Sequence, residues 1–458
     1  MSDAVEVCVV GAGPAGAALA TRLAQLGHDV ALVEQHPVPR PHVGESLSAG
    51  IWPLLELLGV GDLVAQAAFT TTTTARVRWR DEHERRVRSP AGLTVDRGAF
   101  DAILLRRAHD AGARTLGPLR ARRPVRIDEG WELTVGDRVL CARLLADASG
   151  RRRLLGGRCV PTAPRTLALH AVWHGGPPPD GAQTRVEALA DGWLWGAHLP
   201  GGGFRAMAFV DPQTLLATGR DARGLYHRLL AQSSLFAELP AVGARAGRVH
   251  ACAATSYGVP SAIDESSVKV GEAAFAIDPL SSSGVQTAIQ SALAAAACVH
   301  SILAPDGDRR AALDYYGEYQ RHAVADHAAT AARLYAEHEP HADAAFWRRR
   351  SAAHAPAPPP RARPAAQLPE LRARRVRLAA GAQLRETACV IGDRVEMRRA
   401  LTHPQLDRPV AFLGGEELAP LLDALCAAPS LAQAVEAARR PAGTAAAVAW
   451  LHERGLLV

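Results

Sequence analysis

Residues 5–10 read VEVCVV, a short β-branched run of the length of a buried strand. At Gly11 the pattern changes. GAGPAGAALATRLAQLGH spaces its apolar residues as a helix does, and Asp29–Glu34 (DVALVE) returns to a strand. Strand, glycine turn, helix and strand predict a right-handed βαβ unit at the start of a doubly wound sheet. Phe100–Ala113 is amphipathic and helical, and Val139–Ala146 is an apolar run leading into DASG. Between about 160 and 265 the chain breaks into short strand-like stretches such as FRAMAFV, divided by glycine and proline, which predicts a sheet-rich insert. A long alanine-rich helix is expected after Gly284, with helical periodicity continuing to about Arg350. Ser351–Pro364 (SAAHAPAPPPRARP) carries too much proline to continue a helix and predicts an extended linker. Residues 365–458 form a separate unit. Its first half alternates apolar and polar residues, and helical patterns follow from Glu416, Ser430 and Gly443.

The resulting expectation is an α/β fold. A Rossmann-like domain occupies residues 1–350, with a β-sheet substrate insert at about 160–265, and a linker over 351–364 leads to a small α+β domain at 365–458. With 458 residues, 48% of them hydrophobic, the chain is long enough for a large core and a smaller second unit. The net charge of +6 changes little, because basic and acidic residues are interleaved and Lys269 is the only lysine. Neither nucleic acid nor membrane is an expected partner. The seven cysteines are odd in number and none has CxxC spacing, so neither a disulfide framework nor a metal site is expected. The most apolar stretch, Ala288–Ala304, contains Gln290, Ser291, His300 and Ser301 and is too short and polar to span a bilayer comfortably. Glycine-rich structure begins almost at once, leaving no signal peptide, and a reducing cytoplasm is the expected compartment.

The first chemistry lies in the glycine turn. Gly11, Gly13 and Gly16 fit GxGxxG between a strand and a helix. Gly11 permits the tight turn, Gly13 lets backbone approach a pyrophosphate, and Gly16 lets the helix pack on the strand, while the helix N-terminus turns its free N–H groups to the anion. Glu34, ending the second strand, stands where a carboxylate accepts hydrogen bonds from an adenosine ribose. The motif alone does not separate FAD from NAD.

Four further segments do so by resemblance. They are PRPHVGESL (Arg40, Gly44, Glu45, Ser46), VDRGAFDAILLRRAHDAGA (Arg97), LLADASGR (Asp147, Gly150) and KVGEAAFAIDPLSSSGVQ (Gly271, Glu272, Pro279, Gly284). Together they resemble the FAD-dependent monooxygenases of the p-hydroxybenzoate hydroxylase type, especially the branch shared with tryptophan halogenases, over about residues 4–345. The resemblance implies FAD as cofactor, O2 as co-substrate, and the residues just named as cofactor-binding. Glu272 stands where the family carries the aspartate that binds the ribityl chain. The turn at Pro279 and the helix from Gly284 would aim a positive helix end at the flavin. With no second GxGxxG, reducing equivalents arrive as NAD(P)H or as reduced flavin from a partner.

GWLWGAHLP, with Trp193 and Trp195, resembles the GWxWxIP signature of flavin halogenases, with two residues intruding before Leu199. Halogenases also use a substrate-side lysine, and Lys269 lies on the strand leading into Gly271 instead. Hydroxylation of an electron-rich ring therefore ranks above halogenation. Trp193 and Trp195 are expected in the pocket wall, and His198 is the candidate proton-transfer residue.

The C-terminal unit looks like the small winged-helix modules that capture peptides in peptide-modifying enzymes, and a plain dimerisation or packing domain stays open beside that reading. With DPLSSSGVQ and the missing lysine, it resembles most the flavoproteins that hydroxylate a protein tryptophan during biogenesis of a quinone cofactor. A peptide or small-protein substrate follows from that resemblance. A small-molecule hydroxylase, a halogenase, a saturase of the geranylgeranyl-reductase type and a non-catalytic FAD-containing peptide chaperone stay open beside it.

Overall fold

A computed structural model describes residues 3–175, 183–237, 239, 245–352, 375–406, 408–436 and 441–457. The expected linker lies almost wholly outside the described residues. Contacts divide the chain into two compact units, Met1–His300 with Tyr316–Pro356, and Ser301–Tyr315 with Ala357–Val458.

The first unit is built on the βαβ start. Asp3–Val10 lies between Val30–Val33 and Arg138–Asp147 and is parallel to both. Arg114–Leu116 extends the sheet beyond Val30–Val33, and Ser267–Lys269 pairs in parallel with the end of Arg138–Asp147. An antiparallel meander, Ala121–Ile127 and Gly130–Val135, completes it. The helix Pro14–Gln25 starts at Gly13 with proline in its first turn, and it buries Ala17, Ala18, Leu19, Ala20 and Leu23 completely. Val30–Val33 is apolar and buried along its length, and Val7–Val10 and Leu144–Ala146 are buried beside it, as strands covered on both faces require.

The second sheet of this unit reaches further back in sequence than expected. Leu167–His174, Phe204–Val210, Gly192–His198 and Gln183–Leu189 lie side by side, and Thr70–Arg78 then pairs in parallel with Gln183–Leu189. Arg85–Thr94 follows antiparallel, and Ser46–Leu47 pairs with its end. Strand alternation gives this sheet two different faces. One carries His170, Arg205, Met207, Phe209, Trp193 and Trp195. The other carries Leu169, Ala171, Trp173, Leu194 and Phe204 and packs on the helix Ala222–Ala231.

The helix Gly284–Leu303 is long and apolar enough by composition to cross a membrane, and 67% of its most apolar window is buried inside the fold. The helices Arg309–Ala336 and Ala345–Ser351 follow. In the second unit a hairpin, Gln383–Ile391 with Arg394–Thr402, and the helices Leu418–Ala427, Leu431–Glu436 and Pro441–Glu453 surround a core of Leu401, Leu418, Leu422, Leu425, Leu451 and Leu457. Leu457 closes it through a bridge to Leu378.

Candidate active site

A cleft of about 570 Å³ opens along the carboxyl ends of the parallel strands and runs under the second sheet. Ligand pockets measure roughly 300–1,000 Å³, and this cleft lies within that range, lined continuously from the glycine turn to Trp195.

The glycine turn forms one end. Gly11 has φ +107°, and a Cβ there would meet the Ala148 carbonyl oxygen at 2.4 Å. A Cβ on Gly16 would lie 1.8 Å from the Gly11 oxygen. Gly13 differs, because a Cβ there meets nothing within 4 Å and would project into open space beside the cleft it lines. Gly16 is therefore needed for packing, while Gly13 leaves room for something the protein does not supply. Glu34 is buried; its carboxylate accepts the Ala12 N–H and the His36 N–H, both at 2.9 Å, and still faces the cleft with lone pairs to spare.

Arg40, Glu45, Ser46, Arg97, Gly271, Glu272, Pro279 and Gly284 all line the same cleft. Arg97 is fixed by a bidentate pair with Asp101, both contacts 3.0 Å, and donates to the Val43 carbonyl at 2.7 Å. It thereby holds the loop carrying Gly44 and Glu45. Glu272 is half exposed, with one oxygen accepting from Arg151 Nε at 3.0 Å. A Cβ on Gly271 would meet that of Ala15 at 2.8 Å. Two helix N-termini thus open on one cleft, at Gly13 and at Gly284, and both favour negative charge. Glycine cradle, ribose-side carboxylate and paired helix ends fit FAD, whose pyrophosphate and reduced ring are both anionic.

Three expected residues are placed otherwise. Asp147 is fully buried. Its oxygens accept from Ser149 N and Oγ (3.0 and 2.6 Å) and from Leu155 N (2.8 Å), so it braces the loop whose residues 148–152 line the cleft without lining it itself. Trp195 lines the cleft, but Trp193 sits behind it, stacked on Phe209 at 3.9 Å with its indole N–H given to Tyr335 Oη at 3.2 Å. His198 is three residues from Trp195, an odd number, so it points from the opposite face of the sheet and packs on Phe204. Burial, then Arg185, lowers its pKa. It has no path to a ring held against Trp195, and the assignment of proton transfer to it is withdrawn.

The sequence reading missed most of the cleft's far wall. Ala168, Met207 and Phe209 line it with Trp195, and all come from alternate positions of neighbouring strands. FRAMAFV, read with period two, contained that signal. On the same face, Arg205 Nε donates to the buried Glu45 at 2.8 Å and Arg205 Nη1 meets His170 Nδ1 at 3.2 Å. His170 stacks on His250 with ring centres 5.5 Å apart. Burial first, then Arg205 and His250, pushes the His170 pKa down to about 4. Lys269 donates its ammonium to the Gly156 carbonyl at 3.0 Å and is not among the residues of the cleft.

Residues 89–368 match the tryptophan halogenase family, and residues 4–120 match an FAD binding domain. The chain is 31% identical over 346 residues to the tryptophan 2-halogenase of Chondromyces crocatus, which covers 70% of this chain and 66% of that protein. It therefore spans just under two thirds of that halogenase's length. It is 25% identical over 368 residues to the putative FAD-dependent oxidoreductase LodB of Marinomonas mediterranea, covering 76% of this chain and 98% of LodB. The solved structure of the peptidyl tryptophan dihydroxylase QhpG, essential for tryptophylquinone cofactor biogenesis, is similar at a TM-score of 0.78 with 26% identity, over 99% of both chains.

Proposed function

The chain belongs to the tryptophan halogenase family of FAD-binding oxidoreductases, and from that premise we propose that it is a monooxygenase hydroxylating a tryptophan in a peptide or small-protein substrate during biogenesis of a quinone cofactor. The observation that carries the reading is the likeness to the peptidyl tryptophan dihydroxylase over 99% of both chains. The single lysine, engaged by the Gly156 carbonyl, supports oxygen rather than halogen transfer.

FAD, when bound and reduced, supplies the electrons that activate O2. The chain's own residues do the rest. The Gly13 backbone and the helix it opens would receive the pyrophosphate, and Glu34 would accept the ribose hydroxyls. Arg40, on the cleft wall, would pair with the phosphates. Arg97 and Glu45 fix the loop at Val43 and Gly44 on the cleft wall, and Glu272 would accept the ribityl hydroxyls. The Gly284 helix end favours the reduced, negatively charged ring. Trp195, Met207 and Phe209 offer a flat apolar wall that stacks an indole and keeps water from it. Reducing equivalents come from NAD(P)H or from reduced flavin made by a partner reductase. The second unit, a hairpin with three helices, is the part that would bind the peptide.

The purified protein is expected to be yellow and to release FAD on denaturation. Reduced in air with a tryptophan-bearing peptide, it should consume O2 in step with product. Complex formation without O2 uptake would argue for a peptide-holding role instead. Halogenation is the second reading, favoured by the likeness to the C. crocatus enzyme. A product that gains halogen when bromide is added would establish it.

A further inference from the structure

Asp278 stands in the partition between two cavities. On one side is the cleft just described. On the other is a small internal cavity lined by Thr162, Ser256, His327, Tyr335 and Arg350 among others. The carboxyl is 4% exposed. Asp278 caps the turn Pro279–Ser281, so the Leu280 N–H donates to Oδ1 at 3.0 Å. The Tyr335 hydroxyl lies 3.2 Å from both carboxyl oxygens and donates to them, while its own oxygen receives the Trp193 indole N–H.

The cation acting on Asp278 is Arg350, and its guanidinium is already paired with Asp211 at 2.8 Å. Burial outweighs the hydrogen bonds and that partly spent charge, and the carboxyl pKa is raised. The small cavity has a mostly apolar lining into which Thr162, Ser256, Asp278, His327, Tyr335 and Arg350 bring polar groups. Arg350 Nε, buried there, has no hydrogen-bond partner among the described residues, which is the setting in which proteins hold an ordered water. His327 is part-exposed on the helix Arg309–Ala336, and it meets Thr287 of the cleft wall at 3.4 Å. The cavity therefore lies between the cleft and a group in touch with solvent.

We propose that Asp278 is the proton carrier of the oxygen chemistry, giving a proton to the cleft and regaining it from the small cavity. The proposal rests on the monooxygenase reading. Hydroxylation by O2 places one oxygen atom in the ring and releases the other as water, with two electrons drawn from NAD(P)H or reduced flavin. The departing oxygen needs a proton in a site that excludes solvent. The Asp278 O–H bond breaks as the new O–H bond forms on that oxygen. The carboxylate left behind takes a proton from water in the small cavity, relayed past His327. Tyr335 and Trp193 act as positioning residues, holding the carboxyl in place.

The test is infrared difference spectroscopy of the FAD-loaded full chain as the bound flavin is photoreduced without any aromatic substrate. A carbonyl band of a protonated carboxyl should respond to reduction, shift in heavy water, vanish in Asp278→Asn and move in Tyr335→Phe. If the asparagine variant fails to hold FAD, the shift in Tyr335→Phe alone decides. Absence of any such band in the wild type, or the same band unchanged in either variant that holds FAD, overturns the proposal. Since no peptide is present, the outcome is separate from that of the peptide-substrate reading.

Discussion

Lys269 and Gly156 are joined by a 3.0 Å hydrogen bond from ammonium to carbonyl, and the Lys269 Nζ lies 3.1 Å from where a Gly157 Cβ would stand. The only lysine of the chain thus secures the loop after Asp147. Lys269→Met is expected to lower stability by about 1 kcal/mol, the scale of one part-exposed hydrogen bond, and to keep FAD. Melting temperature and flavin content check this. A halide-dependent product lost in the variant would give the lysine a chemical role and reverse the reading.

Gly13 and Gly16 should respond differently to substitution. Gly13→Val places its side chain in open space, so the variant should fold with wild-type circular dichroism and bind no FAD. Gly16→Val sets its Cβ on the Gly11 oxygen at 1.8 Å and should not fold stably. Equal behaviour of the two, in either direction, would mean the cradle is misassigned.

Glu34→Ala removes the acceptor for two backbone N–H groups and for the ribose. FAD affinity should fall by roughly 1–3 kcal/mol, as for charge-assisted hydrogen bonds. Flavin-fluorescence titration measures it, and an unchanged Kd would remove Glu34 from the site.

The local parts of this fold were legible in the sequence because their causes are local. The β-branched run, the glycine turn, Pro14 at the helix start and the alternation of the C-terminal hairpin each act within a few residues. The strands Thr70–Arg78 and Arg85–Thr94 were not read. Their threonines and arginines carry no apolar alternation, and their place comes from pairing Val77 with Val186, over a hundred residues away. His198 was chosen for its nearness to Trp195 in sequence. The two-residue period of a strand puts the pair on opposite faces of the sheet. Asp278 lay inside a quoted motif, yet its burial and its bond to Tyr335 come from tertiary packing alone. The glycine turn was legible as a motif, including the division of labour between Gly13, left open to the cleft, and Gly16, packed on the Gly11 oxygen.

His170 makes stability depend on acid. Its folded pKa of about 4 lies below its ordinary 6.5, so between these values the unfolded chain binds more protons. The stability is complete above about pH 6.5 and is lost as pH falls toward 4, by at most about 3 kcal/mol. Arg205, Glu45 and His250 are the charged or titratable groups around it. Urea unfolding at about pH 7 and pH 4.5 should show a smaller difference in His170→Gln than in wild type. An identical difference would mean the imidazole is not held neutral by this packing.

Everything said of function comes down to where an oxygen atom goes. The enzyme should be co-expressed with small proteins encoded beside it, then purified, reduced under heavy oxygen gas and analysed by intact mass and peptide mapping. The expected result is label on a peptide tryptophan, in steps of about sixteen mass units per ordinary oxygen atom and about eighteen per heavy one. Efficient labelling of free tryptophan or a simple phenol with no peptide labelled, or halogen in place of oxygen, would contradict it.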